Sequence, residues 1–283
     1  MIIKIKGLEI SVVIPTIGDR DILPTIVSLN NSTLIPKEII IVSLKANIHK
    51  HINKKYKNVV FVKANKKGQV NQRIQGFKIA KSKFVMQLDD DITLHKSCLE
   101  VLTKNLCLNN NYSVSPNLFE NSSKRSIYDY KINFKKILFN IISGFSIFCT
   151  EGKIGLSGFE SYPLVSDISP ELVKSEWLVG GCIMHHKKNL IKEYFFDFEG
   201  KAYCEDLFHS IELRKKKIEL YIDKSAIAYL ELNKKPKKIK DFIRENFRDL
   251  KIRKNFVIIN DLSTFRMYSV YVLKFFNYFF SKK

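Results

Sequence analysis

The chain has 283 residues, 45% of them hydrophobic, which is enough apolar material for one large α/β domain or two small ones and excludes a disordered chain. Its net charge is +20, with +10 of the excess in residues 233–283, so the partner of that segment is anionic: nucleic acid or the anionic leaflet of a membrane. Five cysteines, odd in number and without C-x-x-C spacing, argue against a disulfide framework or a structural zinc site and for a reducing compartment.

Met1 to Lys6 carries lysines, but the apolar run Ile10 to Ile14 is too short for the core of a signal peptide and ends in Pro15 without a small-residue cleavage pattern. Leu8 to Ile14 therefore reads as a first strand, in a protein expected to stay in the cytoplasm. A loop from Pro15 to Arg20 follows, then a short helix from Asp21 to Ser28 and β-branched strands at Glu38 to Val42 and Val59 to Val62. Between Gly68 and Ala80, Val70, Ile74, Phe77 and Ile79 alternate with Gln, Asn and Arg, as in a helix, and lead into an apolar strand, Lys83 to Leu88. Strand and helix alternate as in βαβ units, whose right-handed crossovers give a mostly parallel sheet.

That last strand ends abruptly in Asp89, Asp90 and Asp91. Open α/β sheets hold their ligands just outside the carboxyl ends of such strands. In an extended chain alternate side chains share a face, so Asp89 and Asp91 are expected to converge while Asp90 points elsewhere. Two hard oxygen ligands at this spacing suit Mg²⁺ or Mn²⁺ carrying substrate phosphates. The alternative is a solvated acidic turn or a helix cap.

A helix from about Lys96 to Leu108 leads into a stretch without clear periodicity, Asn109 to Glu176. Within it, Ile137 to Thr150 is uncharged for 14 residues, short of the roughly 20 needed to span a bilayer, and suits a buried or interfacial segment. In Trp177-Leu178-Val179-Gly180-Gly181-Cys182 the paired glycines permit close backbone approach to a ligand, or simply a strand followed by a tight turn. Glu205 and Asp206 open a helix running to about Lys217; the helix dipole alone favours acids there, but they also form a second carboxylate pair in a lysine-rich chain. Leu220 to Ile222 and Ala226 to Leu230 look like closing strands. From Pro236, apolar Ile239, Phe242, Ile243, Phe247 and Leu250 mark an amphipathic helix with a basic polar face. Thr264 to Phe280 is aromatic-rich and interrupted by Arg266, Lys274 and Asn277, so it either lies in a membrane interface or packs on the chain's own core.

Taken in order, these motifs resemble the family 2 glycosyltransferases of GT-A fold. Ser11 to Thr16, with Asp19-Arg20 beyond, resembles their first strand and donor loop; Gln69 to Arg73, through Gly76 and Ala80, resembles the helix before the metal strand. Leu88-Asp89-Asp90-Asp91 resembles their Asp-x-Asp motif, Trp177 to Gly181 their acceptor-side loop, and Glu205-Asp206, with Arg214 following, their catalytic-base motif. The resemblance covers about residues 8–232. Two features depart from it: the second strand ends Ile41-Val42-Ser43, without the base-contacting Asp of many relatives, and no His follows the last strand, so that Glu231 or a lysine substitutes or the diphosphate is handled differently.

The resemblance implies an inverting transfer from a nucleotide-diphosphate sugar to an acceptor hydroxyl. Asp206 would be the general base, with Glu205 its alternative. Asp91 would bind Mn²⁺ or Mg²⁺, and Asp89 the ribose or the metal through water. Pro15, Thr16, Arg20, Ser43, Arg73 and Asp90 would bind the donor, and Trp177, Gly180 and Gly181 the acceptor. Residues 1–232 would form the glycosyltransferase domain, about 1–108 its nucleotide-sugar half and 109–232 its acceptor half, with 233–283 a basic aromatic helical tail. Such a tail suits an anionic membrane better than nucleic acid, so the expected acceptor is a lipid-linked saccharide at the inner face of the membrane, used for a surface polysaccharide or glycolipid. A nucleotidyltransferase on a similar sheet and a non-catalytic nucleic-acid- or membrane-binding protein are the alternatives.

Overall fold

The computed structural model describes residues 7–45, 50–198, 201–231 and 238–280. Met1 to Lys6, the expected domain boundary at Leu232, the helix start at Pro236 and the terminal Lys282 and Lys283 lie outside the described residues. In chain order the elements are β1 (Ile10–Thr16), α1 (Leu23–Asn30), β2 (Glu38–Ser43), α2 (Lys50–Lys55), β3 (Val59–Lys63), α3 (Gln69–Ile79), β4 (Phe84–Leu88), β5 (Thr93–Leu94), α4 (Cys98–Leu108) and β6 (Tyr112–Glu120). They continue with α5 (Phe134–Ser143), β7 (Lys153–Ile154), β8 (Glu160–Ser161), β9 (Leu172–Ser175), β10 (Cys182–His186), α6 (Glu205–Lys215), β11 (Glu219–Leu230), α7 (Ile239–Ile259) and α8 (Thr264–Phe280). Two compact units result: Met1–Ile127 with Val165–Leu232, and Tyr128–Leu164 with Asn233–Lys283.

The first unit is built on a nine-stranded sheet in the order β3-β2-β1-β4-β10-β6-β11-β5, with β9 also paired to β11. β3, β2, β1 and β4 are parallel neighbours, as the βαβ pattern requires; β10 enters antiparallel between β4 and β6, and β11 runs parallel to β6. Only β10, β5 and β9 run against the majority, so the sheet is mostly parallel. β1 and β4 are buried along their whole length, which is why each reads as an unbroken apolar run. α3 packs on β1 and β2, where Val13, Ile40, Val42, Phe77 and Val85 form one cluster. A side chain at Gly76 would collide with Val13, so glycine there lets α3 lie close to β1.

Two expectations change at the far edge. β6, within the stretch lacking periodicity, is a buried nine-residue strand, and the two expected closing strands are one, β11, with a register shift between Asp223 and Ile227. Buried Asp223 holds that irregularity: one of its oxygens accepts from the amides of Ser225 and Ala226 at 2.8 and 2.9 Å, and the other from Asn105 Nδ2 at 2.5 Å.

The second unit joins α5, the β7–β8 pair, α7 and α8. Its core is Phe159, Val257, Met267, Val270 and Tyr271, with Phe139, Ile142, Leu250 and Leu262 against it. The first half of the uncharged stretch Ile137 to Thr150 lies on α5, capped by the Asn133 side chain and ended by Gly144 in the left-handed region; the second half is irregular. Among the described residues, no helix is long and apolar enough to cross a membrane.

Candidate active site

Four structural edges meet in the first unit: the C-terminal ends of β1 and β4, the loop entering β10, and the N-terminus of α6. Thr16 stands in register with Ser43, and Leu88 with Cys182, so the donor loop, the three aspartates and the paired glycines share one edge of the sheet. Cys204, at the N-cap of α6, is in the left-handed region (φ 58°), which costs a residue other than glycine on the order of 1 kcal/mol; this turn starts α6 with Glu205 and Asp206 in its first turn.

Arg73 is the centre of the site. It lies on the packed face of α3, 3% exposed, and its guanidinium donates both to Asp89 Oδ1, at 2.7 Å, and to Glu205 Oε1. Burial works against its charge, but Glu205 and Asp89 together outweigh that cost and hold the guanidinium protonated above its ordinary range. Burial pushes the Glu205 carboxyl above the usual carboxylate range, with Arg73 opposing. A guanidinium in contact keeps the pair ionised at neutral pH. Gln69 Nε2 donates to the same Asp89 oxygen at 2.7 Å, and Gln72 Nε2 ties the carbonyls of Thr16 and Val42 together at 2.7 Å each.

The aspartates do not alternate as an extended chain would. β4 stops at Leu88 and the backbone turns, so Asp89 faces Arg73 while Asp90 and Asp91 both face Arg20. Asp91 accepts from Arg20, and Asp90 accepts from Thr16 Oγ1 at 2.5 Å with Arg20 3.7 Å away. Burial raises the Asp90 carboxyl despite the Thr16 hydroxyl. The expected convergence of Asp89 and Asp91, with Asp90 pointing elsewhere, is thus replaced by a split between two arginines.

Gly180 and Gly181 are where the backbone comes closest to the acids. A Cβ at Gly180 would lie 2.6 Å from Glu205 Oε1 and 3.3 Å from Asp206 Cβ, and one at Gly181 would lie 2.9 Å from Asp89 Oδ2. The Gly180 carbonyl accepts from Gln87 Nε2 at 2.6 Å, and the Gly181 carbonyl from the Asp89 amide at 2.8 Å. Close approach, not a turn alone, is what the glycines supply. Trp177, expected on the acceptor side, is 2% exposed, and its carbonyl accepts from Ser175 Oγ at 2.6 Å. Pro15 is buried inside β1; Ser43 is buried at the end of β2, its hydroxyl accepting from the Lys45 amide at 3.2 Å. Glu231 accepts from Asn121 Nδ2 at 2.9 Å.

A divalent cation can be tested against these donors. Among the described residues no three His, Cys, Asp or Glu side chains converge on one point. Mg²⁺ and Mn²⁺, however, are commonly held by one or two carboxylates and completed by substrate phosphates and water. Asp91, partly exposed and paired with a half-exposed Arg20, fits that pattern.

Residues 11–157 match the family profile described as Glycosyl transferase family 2. This chain belongs to that family. Its structure is similar to a crystal structure of GalNAc-T7 with UDP, GalNAc and Mn²⁺ (TM-score 0.61, 14% identity, 86% of this chain and 50% of that one). It is also similar to residues 1–349 of TarS from S. aureus (TM-score 0.51, 15% identity, 79% of this chain and 60% of that one). At these identities the likeness establishes the GT-A fold, and the chain spans half of the first relative and 60% of the second. No curated protein matched in sequence.

The sequence assigns no site role to Gln69, Gln72 or Gln87, which hydrogen-bond Asp89 and the backbone carbonyls of Thr16, Val42 and Gly180, nor to His185 and His209. A signal existed for the first two: Gln69, Gln72, Arg73 and Gly76 fall at i, i+3, i+4 and i+7, a polar stripe on a helix face that must pack. His185 on β10 and His209 on α6 lie behind the site, fully buried, their ring centroids 5.6 Å apart. A cavity of about 10 Å³, room for one water, is lined by Arg73, Gln87, Glu205 and His209 among apolar neighbours.

Proposed function

We propose that this glycosyltransferase moves a sugar from a nucleotide-diphosphate sugar to an acceptor hydroxyl by a single displacement that inverts the anomeric carbon. The observation that supports it best is the double ion pair of Arg73, which joins the acids after β4 to the acids opening α6 in one site. In the reaction the acceptor oxygen bonds to the anomeric carbon as the bond to the diphosphate oxygen breaks, and the nucleoside diphosphate leaves with the electron pair. The acceptor proton passes to Asp206, which is partly exposed; Glu205 is buried and engaged by Arg73, so it positions the site instead of taking the proton. Thr16 and Arg20 line the donor side with Asp90 and Asp91, and the acceptor comes in beside the Gly180–Gly181 loop, whose close approach packs the backbone on Glu205 and Asp89. A divalent metal held by Asp91 would supply charge to balance the leaving diphosphate, while Asp89 stays with Arg73 and Gln69.

The acceptor assigned here is a lipid-linked saccharide met at the inner face of a membrane, in building a surface polysaccharide or glycolipid; the basic 233–283 segment supports this. Incubation with uridine and thymidine diphosphate sugars and Mn²⁺ tests the reaction, with NMR reading the anomer formed on acceptor or water. An inverted anomer and release of nucleoside diphosphate are expected; a retained anomer, or release of pyrophosphate as from a nucleotidyltransferase, would overturn it. Calorimetry of the same diphosphates should show affinity lost on adding EDTA and in Asp91→Ala, and equal affinity throughout would remove the metal assignment.

A further inference from the structure

α7 and α8 each show two faces. Inward, Met267, Val270 and Tyr271 of α8 and Val257 of α7 pack on Phe159 in the core of the second unit. Outward, α8 presents Phe265, Tyr268, Val272, Phe276 and Phe279, at i, i+3, i+7, i+11 and i+14, between 44% and 80% exposed. A shallow apolar depression of about 580 Å³ runs along the same helix. The basic residues of α8 are not on that stripe: Arg266 donates to the carbonyls of Ile141 and Ile142 that end α5, and Lys274 pairs with Asp249 at 3.2 Å.

The exposed face of α7 combines both chemistries. Lys240, Arg244, Phe247, Lys251, Lys254 and Ile258 follow one helical stripe and all are exposed. Of its three acids, Asp249 is buried between Arg253 and Lys274, Asp241 is paired with Arg244 at 2.6 Å, and Glu245 is half-buried, against five exposed cations on the same helix. The second unit therefore shows water a surface that is aromatic on one helix and basic and apolar on the next.

We infer that α7 and α8 dock this enzyme on an anionic lipid bilayer, Phe and Tyr of α8 entering the interface while the α7 cations meet the headgroups. A second copy fits poorly, because it would bring two segments of like charge together, each +10 over residues 233–283. Nucleic acid would use the charge and leave the α8 stripe uncovered. The surface does not depend on the transfer reaction, and it would bring the site to a lipid-linked acceptor.

Flotation of the full chain with vesicles of phosphatidylglycerol and phosphatidylcholine, against phosphatidylcholine alone, tests this. Co-flotation is expected only with the anionic vesicles and is lost in 0.5 M salt, on the order of a Debye length near 4 Å. Phe276→Glu/Phe279→Glu and, separately, Lys240→Glu/Lys251→Glu/Lys254→Glu should each lower partitioning by about 10²-fold. Both variants should keep the parent's unfolding midpoint and its affinity for uridine or thymidine diphosphate, which reads the nucleotide site independently. The inference falls if the parent does not float at low salt, or if the aromatic variant floats unchanged. It also falls if light scattering gives a dimer that these substitutions break, or if an oligonucleotide binds through the same phenylalanines.

Discussion

The guanidinium of Arg73 donates to the carboxylate of Glu205, 132 positions away in sequence, from a side chain only 4% exposed. Removing one member of a buried ion pair strands the other's charge, at a cost of about 3–5 kcal/mol. Arg73→Met is accordingly expected to lower the urea-unfolding free energy by about that amount, since it strands Glu205 and loosens Asp89. Adding Glu205→Gln should recover part of the loss, because two residues in contact do not contribute additively. Strictly additive losses in the double variant would mean that the pair is not a coupled unit.

Asp206 and Glu205 are neighbours with different surroundings, and the difference separates their roles. Asp206→Asn should leave diphosphate binding and the unfolding midpoint close to the parent's while lowering transfer by about 10²–10⁴-fold, the range of a lost general base. Glu205→Gln, in contrast, should lower stability as well as transfer, through Arg73. An Asp206→Asn enzyme that transfers sugar at nearly the parental rate would move the base role elsewhere.

Gly180→Ala tests the steric side of the site. The added methyl would fall 2.6 Å from Glu205 Oε1, an atom held by Arg73, so either the carboxylate or the loop must move. Misplacing the site by about 1 Å through a residue that positions it costs about 10²-fold in rate, and that loss in kcat is expected with little change in diphosphate affinity. Unchanged kcat would show that the loop yields freely.

How much of this could be read beforehand follows from where each constraint resides. The strand before the acids and the first-turn acids of α6 are local features: an apolar run ends in Asp89, and Glu205-Asp206 opens a helical pattern. The direction of Asp89 is not local, because the chain leaves the strand at Leu88 and Arg73 claims the carboxylate. β6 was unreadable because Ser113, Ser115, Pro116 and Asn117 interrupt its apolar pattern; it is buried by neighbours on both sides, and Ser113 meets His185 across the sheet at 2.8 Å. The two-faced character of α8 depends on Phe159, more than a hundred positions earlier, which no periodicity within the helix reveals.

The buried pair His185 and His209 makes stability depend on pH. Burial pushes His185 down to about 3, with Arg73 adding to the effect, and drives His209 down in the same direction, with His185 and Arg73 contributing. In the unfolded chain both return to about 6.5. The unfolded state therefore binds more protons than the folded one between these values, so stability is complete above pH 6.5 and falls as pH drops below it. Each histidine contributes a slope of about 1.4 kcal/mol per pH unit in that window. Glu205 and Asp90, raised by burial, act with the opposite sign: the folded state keeps their protons at pH values where the unfolded chain has lost them. The net fall between pH 6.5 and 5 should thus come from the histidines, with a part from His186, which burial also lowers. Urea unfolding at pH 5, 5.75, 6.5 and 7.5 measures it, and His185→Gln/His209→Gln should flatten the curve below pH 6.5, with glutamine able to keep a hydrogen bond to Ser113. If the double variant loses stability below pH 6.5 as steeply as the parent, these buried rings are not what sets its acid sensitivity.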